Sequence, residues 1–412
     1  MRIEILNTGT ELLLGNTHNT HGTWLGAEVF KLGLRVARQT CVPDGEEIRE
    51  ALAEALGRAD AVIVTGGLGP TSDDMTREIT AELLGLDLVQ DDAARASLEA
   101  FFAIRQRPMA SDNLKQVLIP CGALALPNAN GTAPGVYIEA DLAGRRHAAI
   151  FLLPGPPREL YPMFLAEVAP RLRSLSGVVA PPELLEMKFT GIGESDFHHA
   201  LDARLAAIPG LEFGYCARIG EVDLRLIGSA AALQQARTLA LDRFAPQLVS
   251  EDGSSLEQTV VRLLGERGWT LAIAESCSGG LIASRITDVA GASAVFTHGF
   301  VTYSNAAKRG LLGVTQESLE THGAVSEPVA RQMAEGALAV SGADLAVAVT
   351  GIAGPTGGSP DKPVGSAWIA VAQRAGATCA WRVFQPRERL DFKLGVSQAA
   401  LDALRRILRT QS

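Results

Sequence analysis

The sequence predicts an α/β protein that contains more than one domain. Its 412 residues exceed what one ordinary core accommodates, and short apolar segments typical of buried strands alternate with segments of helical periodicity. Several of these apolar segments run directly into glycine-rich loops. Strands that alternate with helices form parallel sheets, and ligands gather at the carboxyl ends of such strands. The glycine-rich loops are therefore candidate binding sites.

The composition argues against several classes of protein. Hydrophobic residues make up 47% of the chain and charged residues 20%, which is typical of a folded globular protein. No apolar run approaches the roughly 20 residues of a membrane span, and the N-terminal segment MRIEILNTGTELLLG lacks the apolar block of a signal peptide. We therefore expect a cytoplasmic protein without membrane contact. The net charge of −9 and the lack of a basic cluster argue against direct nucleic-acid binding.

The N-terminal region predicts a doubly wound parallel sheet. Its expected elements are, in order, a strand at 2–9, a helix at 22–32, a strand at 34–42, a helix at 46–57, a strand at 59–64 and a strand at 149–153. The third strand runs into TGGLGPTSDD at 65–74, where glycines would let backbone amides approach a phosphate group.

Two acids end this loop and have two interpretations. Asp73 and Asp74 could hold a hard divalent cation, or they could cap the following helix and compensate its dipole. The loops at 8–11, 128–135 and 154–159 also border strands and could converge on the same pocket. The candidate ligand-binding residues of this pocket are Gly66, Gly67, Gly69, Thr71, Gly131, Thr132 and Gly155.

The middle of the chain differs in character from its flanks. Residues 188–195 lead into a helix, and residues 221–227 alternate as a strand with one exposed face. This pattern predicts a small α+β domain at 171–250.

The C-terminal region contains the stretch LAIAESCSGG at 271–280, which predicts a buried strand, a tight loop and a helix start. Ser276 is a candidate nucleophile beside backbone amides that could bind an oxyanion or a phosphate. The alternative is that these serines and glycines form only an N-cap and a turn. Further strands are expected at 294–303, 345–349 and 363–372.

A serine nucleophile needs a base, and the loops contain no obvious Ser-His-Asp set. Lys308 follows the strand at 294–303, and a desolvated lysine could accept the Ser276 proton. The alternative is an ordinary exposed lysine at a helix start. Cys277 has no histidine partner and is more typical of core packing than of a thiol nucleophile.

Several motifs together resemble the CinA (competence/damage-inducible) family over essentially the whole chain. ESCSGG at 275–280 is similar to the deamidase domain of that family. The motifs that resemble its N-terminal, molybdopterin-binding-like (MoaB/MogA-like) domain are GTELLLG at 9–15, TGGLGPTSDD at 65–74, NANGTAPG at 128–135 and LPGPPREL at 153–160.

The resemblance implies three domains, which are a MoaB/MogA-like domain at 1–170, a KH-like module at 171–250 and a deamidase at 251–412. KH domains bind RNA through a GxxG loop in basic surroundings. Here Gly191 and Gly193 break that spacing and Glu194 adds an acid. We therefore expect the middle domain to be a spacer.

For the C-terminal domain, the resemblance implies hydrolysis of nicotinamide mononucleotide (NMN) to nicotinate mononucleotide and ammonia, without a cofactor. It implies Ser276 as nucleophile and Lys308 as general base, with Ser293 as the reserve nucleophile. Tyr303 and Thr350, together with Ser293, would orient the lysine or the amide.

The resemblance also implies a backbone site for the oxyanion and the ligand phosphate. This site would consist of Gly279, Gly280 and the segment from Gly351 to Gly354. Arg389 would bind the substrate, with Arg387 as the alternative, because residues 384–389 depart from the shorter segment that is usual in the family.

For the N-terminal domain, the resemblance implies an ADP-ribose pyrophosphatase in which Asp73 and Asp74 bind Mg, Mn or Co. One alternative is a pocket that binds a molybdopterin-type phosphate. Another is a non-catalytic adaptor in DNA uptake or repair. The resemblance also implies a homodimer.

Overall fold

The structure is a computed structural model that describes residues 1–141, 147–178 and 183–410. The chain forms two compact units, Met1–Pro181 and Pro182–Ser412. Within the described residues, no helix combines the length and the apolar character that crossing a membrane requires.

The first unit is built on a six-stranded sheet. The described part of the unit contains eight strands, of which β4 and β5 lie outside this sheet. They are β1 (Ile3–Thr8), β2 (Val36–Val42), β3 (Ala61–Thr65), β4 (Leu88–Gln90), β5 (Leu118–Pro120), β6 (Leu124–Leu126), β7 (Gly135–Asp141) and β8 (His147–Leu153). The sheet order is β2-β1-β3-β8-β7-β6, and β4 pairs separately with β5. The first four strands of the sheet are parallel, β7 runs antiparallel to β8, and β6 runs antiparallel to β7.

Helices cover both faces of this sheet. They are α1 (Thr10–Leu13), α2 (Thr20–Lys31), α3 (Glu47–Leu56), α4 (Thr76–Leu84), α5 (Asp92–Ile104), α6 (Pro157–Met163) and α7 (Ala169–Ser176). Alternate side chains of β3 point to opposite faces of the sheet. Val62 and Val64 pack with α3 and α4, whereas Ile63 packs with α2, α6 and α7. This arrangement confirms the predicted doubly wound α/β sheet with helices on both faces.

The second unit begins with a four-stranded antiparallel sheet. Its elements are β9 (Glu183–Thr190), α8 (Glu194–Ala206), β10 (Glu212–Arg218), β11 (Glu221–Gly228), α9 (Ala230–Phe244) and β12 (Leu248–Ser250). The strand order is β10-β11-β9-β12, and α8 and α9 share one apolar cluster with the sheet. The α+β character matches the prediction, while the KH-like assignment remains a prediction.

The second unit continues with a five-stranded sheet between helices. Its strands are β13 (Leu271–Glu275), β14 (Phe296–Val301), β15 (Leu345–Gly351), β16 (Ser366–Gln373) and β17 (Cys379–Phe384). Its helices are α10 (Leu256–Arg267), α11 (Leu281–Thr287), α12 (Asn305–Leu312), α13 (Gln316–His322), α14 (Glu327–Ser341) and α15 (Arg389–Thr410). The strand order is β14-β13-β15-β16-β17, with β14, β13 and β15 parallel.

The two faces of this sheet differ in side-chain size. Leu271 and Ile273 pack with α10, α11 and α15, whereas Ala272 and Ala274 face the layer that contains α14. Small side chains on the second face let α14 approach the sheet closely, because little volume separates the two backbones.

Candidate active site

The loop after β13 lies at a topological switch point of the C-terminal sheet. The strands β14 and β15 pair with opposite sides of β13, so the chain crosses the sheet in opposite directions from this point. Ser276 directly follows β13, and its amide donates to the carbonyl of Val349 on β15 at 3.1 Å. The serine is 7% exposed. The fold therefore holds this hydroxyl at the position where open α/β sheets bind ligands.

The amine of Lys308 lies beside this hydroxyl. Lys308 is on α12 and is only 1% exposed. Its Nζ atom lies 2.9 Å from Oγ of Ser276 and 2.8 Å from the carbonyl oxygen of Thr302. Burial lowers the pKa of Lys308, because desolvation disfavours the ammonium form. The pair therefore has the geometry and the electrostatics of a serine nucleophile with a lysine base.

A buried carboxylate organises the loop between β13 and α11. Glu275 is 1% exposed and accepts hydrogen bonds from the amides of Gly280 at 3.0 Å, Ile282 at 3.1 Å and Ala283 at 2.9 Å. Three amide donors and the positive end of a helix stabilise its negative charge. No role for Glu275 follows from the sequence motifs, although an acid that ends an otherwise apolar strand is an unusual pattern.

These hydrogen bonds correct one expectation. Gly279 and Gly280 were expected to offer their amides to an oxyanion or a phosphate. The Gly279 amide instead donates to the carbonyl of Ser276 at 3.1 Å, and the Gly280 amide donates to Glu275. Within the described part of the chain, the amides of Cys277 and Ser278 donate to no backbone carbonyl, and both lie close to the Cys277 thiol. These two amides are the donors of the turn that no backbone carbonyl or carboxylate occupies.

The loop after β15 packs against the serine loop. A Cβ atom on Gly351 would lie 3.0 Å from Sγ of Cys277, so a glycine allows this close approach. Thr350 donates its hydroxyl to the carbonyl of Ala324 at 2.8 Å. Thr350 therefore anchors the segment before α14, and no hydrogen bond joins it to Ser276 or Lys308 among the described residues.

Tyr303 and Arg389 form the exposed side of the site. Tyr303 is 60% exposed, and its hydroxyl accepts a hydrogen bond from Nη2 of Arg389 at 2.8 Å. Nη1 of Arg389 donates to the carbonyl of Gly354 at 2.8 Å. Arg387 contacts its own segment instead, through Gln385 at 3.4 Å. Of the two candidate arginines, Arg389 is thus the one that the structure brings to Tyr303.

A second constellation lies at the carboxyl ends of β1, β3 and β8 in the first unit. The loops that follow these strands border a cleft of about 400 Å³. The predicted residues that line it are Gly66, Gly67, Gly69, Asp73, Asp74, Thr132 and Gly155. The sequence analysis did not assign roles to three further carboxylates of the lining, Glu11, Asp44 and Glu159. No lysine, arginine or histidine is among the described residues that line this cleft.

Asp74 organises the glycine loop itself. Its Oδ2 accepts from the amide of Thr71 at 3.0 Å and from the Thr71 hydroxyl. The residue that precedes α4 is Met75, which forms no side-chain cap, so neither Asp73 nor Asp74 is the N-cap of that helix. Nowhere in 1–141, 147–178 or 183–410 do three or more histidine, cysteine or acidic side chains form a preassembled metal site.

Comparison with known proteins assigns both terminal regions of the chain to known families. Residues 253–408 match the family model of the CinA C-terminal domain, and residues 4–174 match that of the probable molybdopterin binding domain. The chain is 50% identical over 404 residues to a CinA-like protein of Akkermansia muciniphila, which covers 98% of this chain and 97% of that protein. The chain belongs to the CinA family. The predicted family and its two terminal domains are therefore confirmed.

A second relative matches most of the chain, whereas a solved structure matches a smaller part of it. A putative competence-damage inducible protein of Symbiobacterium thermophilum is 50% identical over 384 residues, covering 91% of this chain and 89% of that protein. Among solved structures, the competence/damage inducible protein CihA from Agrobacterium tumefaciens is 45% identical, covering 37% of this chain and 94% of that chain, with a TM-score of 0.35.

One residue of the predicted C-terminal site lies elsewhere. Ser293 is exposed in a 3₁₀ turn, Ala292–Ala294, that precedes β14. In the parallel pair of β13 and β14, Leu271 lies opposite Phe296 and Glu275 lies opposite Val301. Ser293 thus lies at the amino ends of these parallel strands and Ser276 at their carboxyl ends. A strand of this length separates its two ends by roughly 15 Å. The structure does not bring Ser293 to the Ser276–Lys308 pair.

Cys277 is next to Ser276 but has a different environment. Burial raises the pKa of its thiol to about 12, and its side chain packs in the apolar cluster of α10, α11 and α15. A thiol with this pKa is protonated at neutral pH and is a poor nucleophile. Its placement agrees with a packing role.

Proposed function

We propose that the C-terminal domain hydrolyses the carboxamide of NMN to a carboxylate and ammonia. The observation that supports this most strongly is the 2.9 Å separation between the buried amine of Lys308 and the hydroxyl of Ser276. The substrate follows from the resemblance to the deamidase motif of the CinA family, and the hydrolytic chemistry follows from the dyad. The resemblance also suggests that the enzyme acts in the cytoplasm as a homodimer.

In the first step, neutral Lys308 accepts the proton of the Ser276 hydroxyl while Oγ attacks the carbonyl carbon of the amide. The carbonyl oxygen becomes an oxyanion in the tetrahedral intermediate. The amides of Cys277 and Ser278 are the proposed donors to this oxyanion, because they lie in the turn that carries Ser276 and neither donates to a backbone carbonyl among the described residues.

In the second step, the intermediate collapses and the carbon–nitrogen bond breaks. Lys308 returns its proton to the leaving nitrogen, which departs as ammonia and leaves an ester on Ser276. Lys308 then deprotonates a water molecule that attacks the ester, and the proton returns to Ser276 as nicotinate mononucleotide leaves. One base thus carries every proton of the cycle.

The test is ammonia release from NMN by the wild type and by three variants. Ser276→Ala and Lys308→Met should lower kcat on the order of 10⁴-fold, since each removes one member of a unit. Ser293→Ala is the matched control, because this serine lies at the other edge of the sheet, and it should retain activity. Circular dichroism and thermal unfolding report whether each variant is folded. A folded wild type without activity would refute the deamidase proposal.

A second candidate function belongs to the N-terminal cleft, which we propose hydrolyses ADP-ribose with a divalent metal. Its lining favours this reading, because it contains five carboxylates, and the nearby ammonium group of Lys115 donates to the carbonyls of Thr71 and Asp74. A pyrophosphate would therefore enter most readily together with a cation. Asp73 and Asp74 supply hard oxygen ligands of the kind that Mg, Mn and Co accept, and substrate oxygens and water would complete the coordination. When bound, such an ion would act as a Lewis acid on the pyrophosphate.

Hydrolysis of ADP-ribose with added Mg, Mn or Co tests the second candidate. Asp73→Asn should abolish it, whereas Asp242→Asn, which removes an exposed carboxylate on α9, should not.

If the cleft instead binds a pterin phosphate, molybdopterin and not ADP-ribose will raise the Tm. If the protein has neither activity, the adaptor alternative gains support, and filter binding of DNA at two salt concentrations tests direct contact.

A further inference from the structure

Two cationic side chains lie one turn apart at the start of α15. Arg389 and Lys393 are separated by four residues, which places them on the same face of the helix. Arg389 donates to the Tyr303 hydroxyl and to the Gly354 carbonyl. Both partners are neutral, so these hydrogen bonds position the guanidinium without neutralising its charge.

Lys393 lies over the turn that carries the nucleophile. A Cβ atom added to Gly279 would be 3.6 Å from Nζ of Lys393. Gly279 closes the turn that begins at Ser276, through its amide and the Ser276 carbonyl. The side chain of Lys393 is half-buried, and no other described residue forms a hydrogen bond or an ion pair with its ammonium group.

The acids near this pair do not neutralise it. Glu275 is committed to three backbone amides. Asp391 is exposed and lies between the two cations in sequence, but a residue two positions away on a helix is rotated by about 200° and points elsewhere. Among the described residues, neither Arg389 nor Lys393 forms an ion pair, and Glu388, which precedes Arg389, is exposed. Two positive charges thus lie at the mouth of the deamidase site without a paired acid.

We propose that Arg389 and Lys393 together bind the phosphate monoester of the substrate, and that Lys393 makes the enzyme prefer a nucleotide over a nucleoside. This inference rests on the proposed deamidase function. A phosphate monoester carries nearly two negative charges at neutral pH, which matches the two cations. The phosphate is at the opposite end of NMN from the carboxamide, so Lys393 would bind substrate without contacting the scissile bond.

The test compares NMN with nicotinamide riboside, which lacks the phosphate. Lys393→Gln removes the charge, Lys393→Arg keeps it, and Arg406→Gln removes an exposed charge farther along the same helix as the matched control. We expect Lys393→Gln to lower kcat/KM for NMN about 30-fold, mainly through KM, because a charge-assisted hydrogen bond is lost. Its kcat/KM for the riboside should change less than about twofold. Lys393→Arg should retain most of the NMN activity.

Two results would overturn the assignment of Lys393. One is an equal loss on NMN and on the riboside, which would place its effect at the reaction centre or in the fold. The other is no loss on NMN.

Calorimetry separates these results from a failure of the proposed function. With Ser276→Ala protein, NMN should bind more tightly than the riboside, and adding Lys393→Gln should remove that difference. This binding measurement decides the role of Lys393 even if the wild type does not release ammonia.

Discussion

The carbonyl oxygen of Leu312 lies 1.9 Å from the position that a Cβ atom on Gly336 would occupy. The backbones of α12 and α14 therefore touch at this point, and only a glycine allows the contact. Leu312 is four residues after Lys308, one turn along α12. The position of Lys308 thus depends on a glycine in a different helix.

Gly336→Ala should destabilise the second unit by about 2–4 kcal/mol, because the backbone of Leu312 must move to admit the methyl group. Deamidase activity should fall as well, since the same movement displaces Lys308. Urea unfolding and NMN kinetics measure the two effects. Gly265→Ala, in α10 with open space around it, is the matched control and should stabilise by about 0.5–1 kcal/mol. A Gly336→Ala protein as stable as the wild type would contradict this account.

The pH–rate profile should reveal Lys308 as a base. Burial lowers its pKa from the ordinary value of 10.5, and only the neutral amine accepts the Ser276 proton. We expect kcat/KM for NMN to rise with pH through this lowered pKa and then level off. Lys308→Arg should be inactive at every pH tested, because a guanidinium stays protonated. A wild-type profile that falls as pH rises through neutrality would argue against the base role.

The same lysine should make protein stability depend on pH. Between the lowered pKa of the folded state and the ordinary pKa of the unfolded state, the unfolded chain binds more protons. The contribution of Lys308 to the free energy of unfolding therefore rises with pH between these two pKa values. At pH values below the lowered pKa, the buried ammonium group destabilises the folded state by its full desolvation cost. Urea unfolding of the wild type and of Lys308→Met measures this effect. The free energy of unfolding of the wild type should increase relative to that of the variant as pH rises. Parallel pH dependences would refute the prediction.

Glu275→Gln should destabilise the second unit by about 2–3 kcal/mol. The amide side chain retains one oxygen acceptor, but it loses the negative charge that three backbone amides and the start of α11 stabilise. Denaturant unfolding measures this loss. Glu266→Gln is the matched control, because this carboxylate pairs with Arg262 where both side chains are 54% exposed, and its effect should be within about 0.5 kcal/mol. Equal effects of the two changes would count against the capping role.

Gly131→Ala should disturb the N-terminal cleft alone. A Cβ atom there would lie 1.9 Å from Oε2 of Glu159, which accepts a hydrogen bond from Asn128 at 2.9 Å. We expect loss of ADP-ribose hydrolysis, while kcat/KM for NMN stays unchanged because the Ser276–Lys308 pair is in the other unit. Gly26→Ala in α2, where the added atom meets only an ordinary contact, should keep both activities. Loss of the NMN activity in Gly131→Ala would refute the independence of the two sites.

Local patterns in the sequence were sufficient for much of the fold. The apolar run that ends at Glu275 predicts β13, and the serine and glycines that follow predict a tight loop before α11, because backbone preferences and hydrophobic periodicity act over a few residues. The motifs around Ser276 and around Gly66 also identified the family. The sequence thus determined the elements, the two glycine-rich sites and the candidate nucleophile.

The tertiary structure decided which distant residues meet. Lys308 is brought to Ser276 because β14 pairs beside β13, and the parallel register of the same pair places Ser293 at the opposite edge. The position of Lys393 over the serine turn depends on how α15 packs on the sheet. Strand order, register and helix packing arise from contacts between residues far apart in the chain, which periodicity within a single segment does not specify.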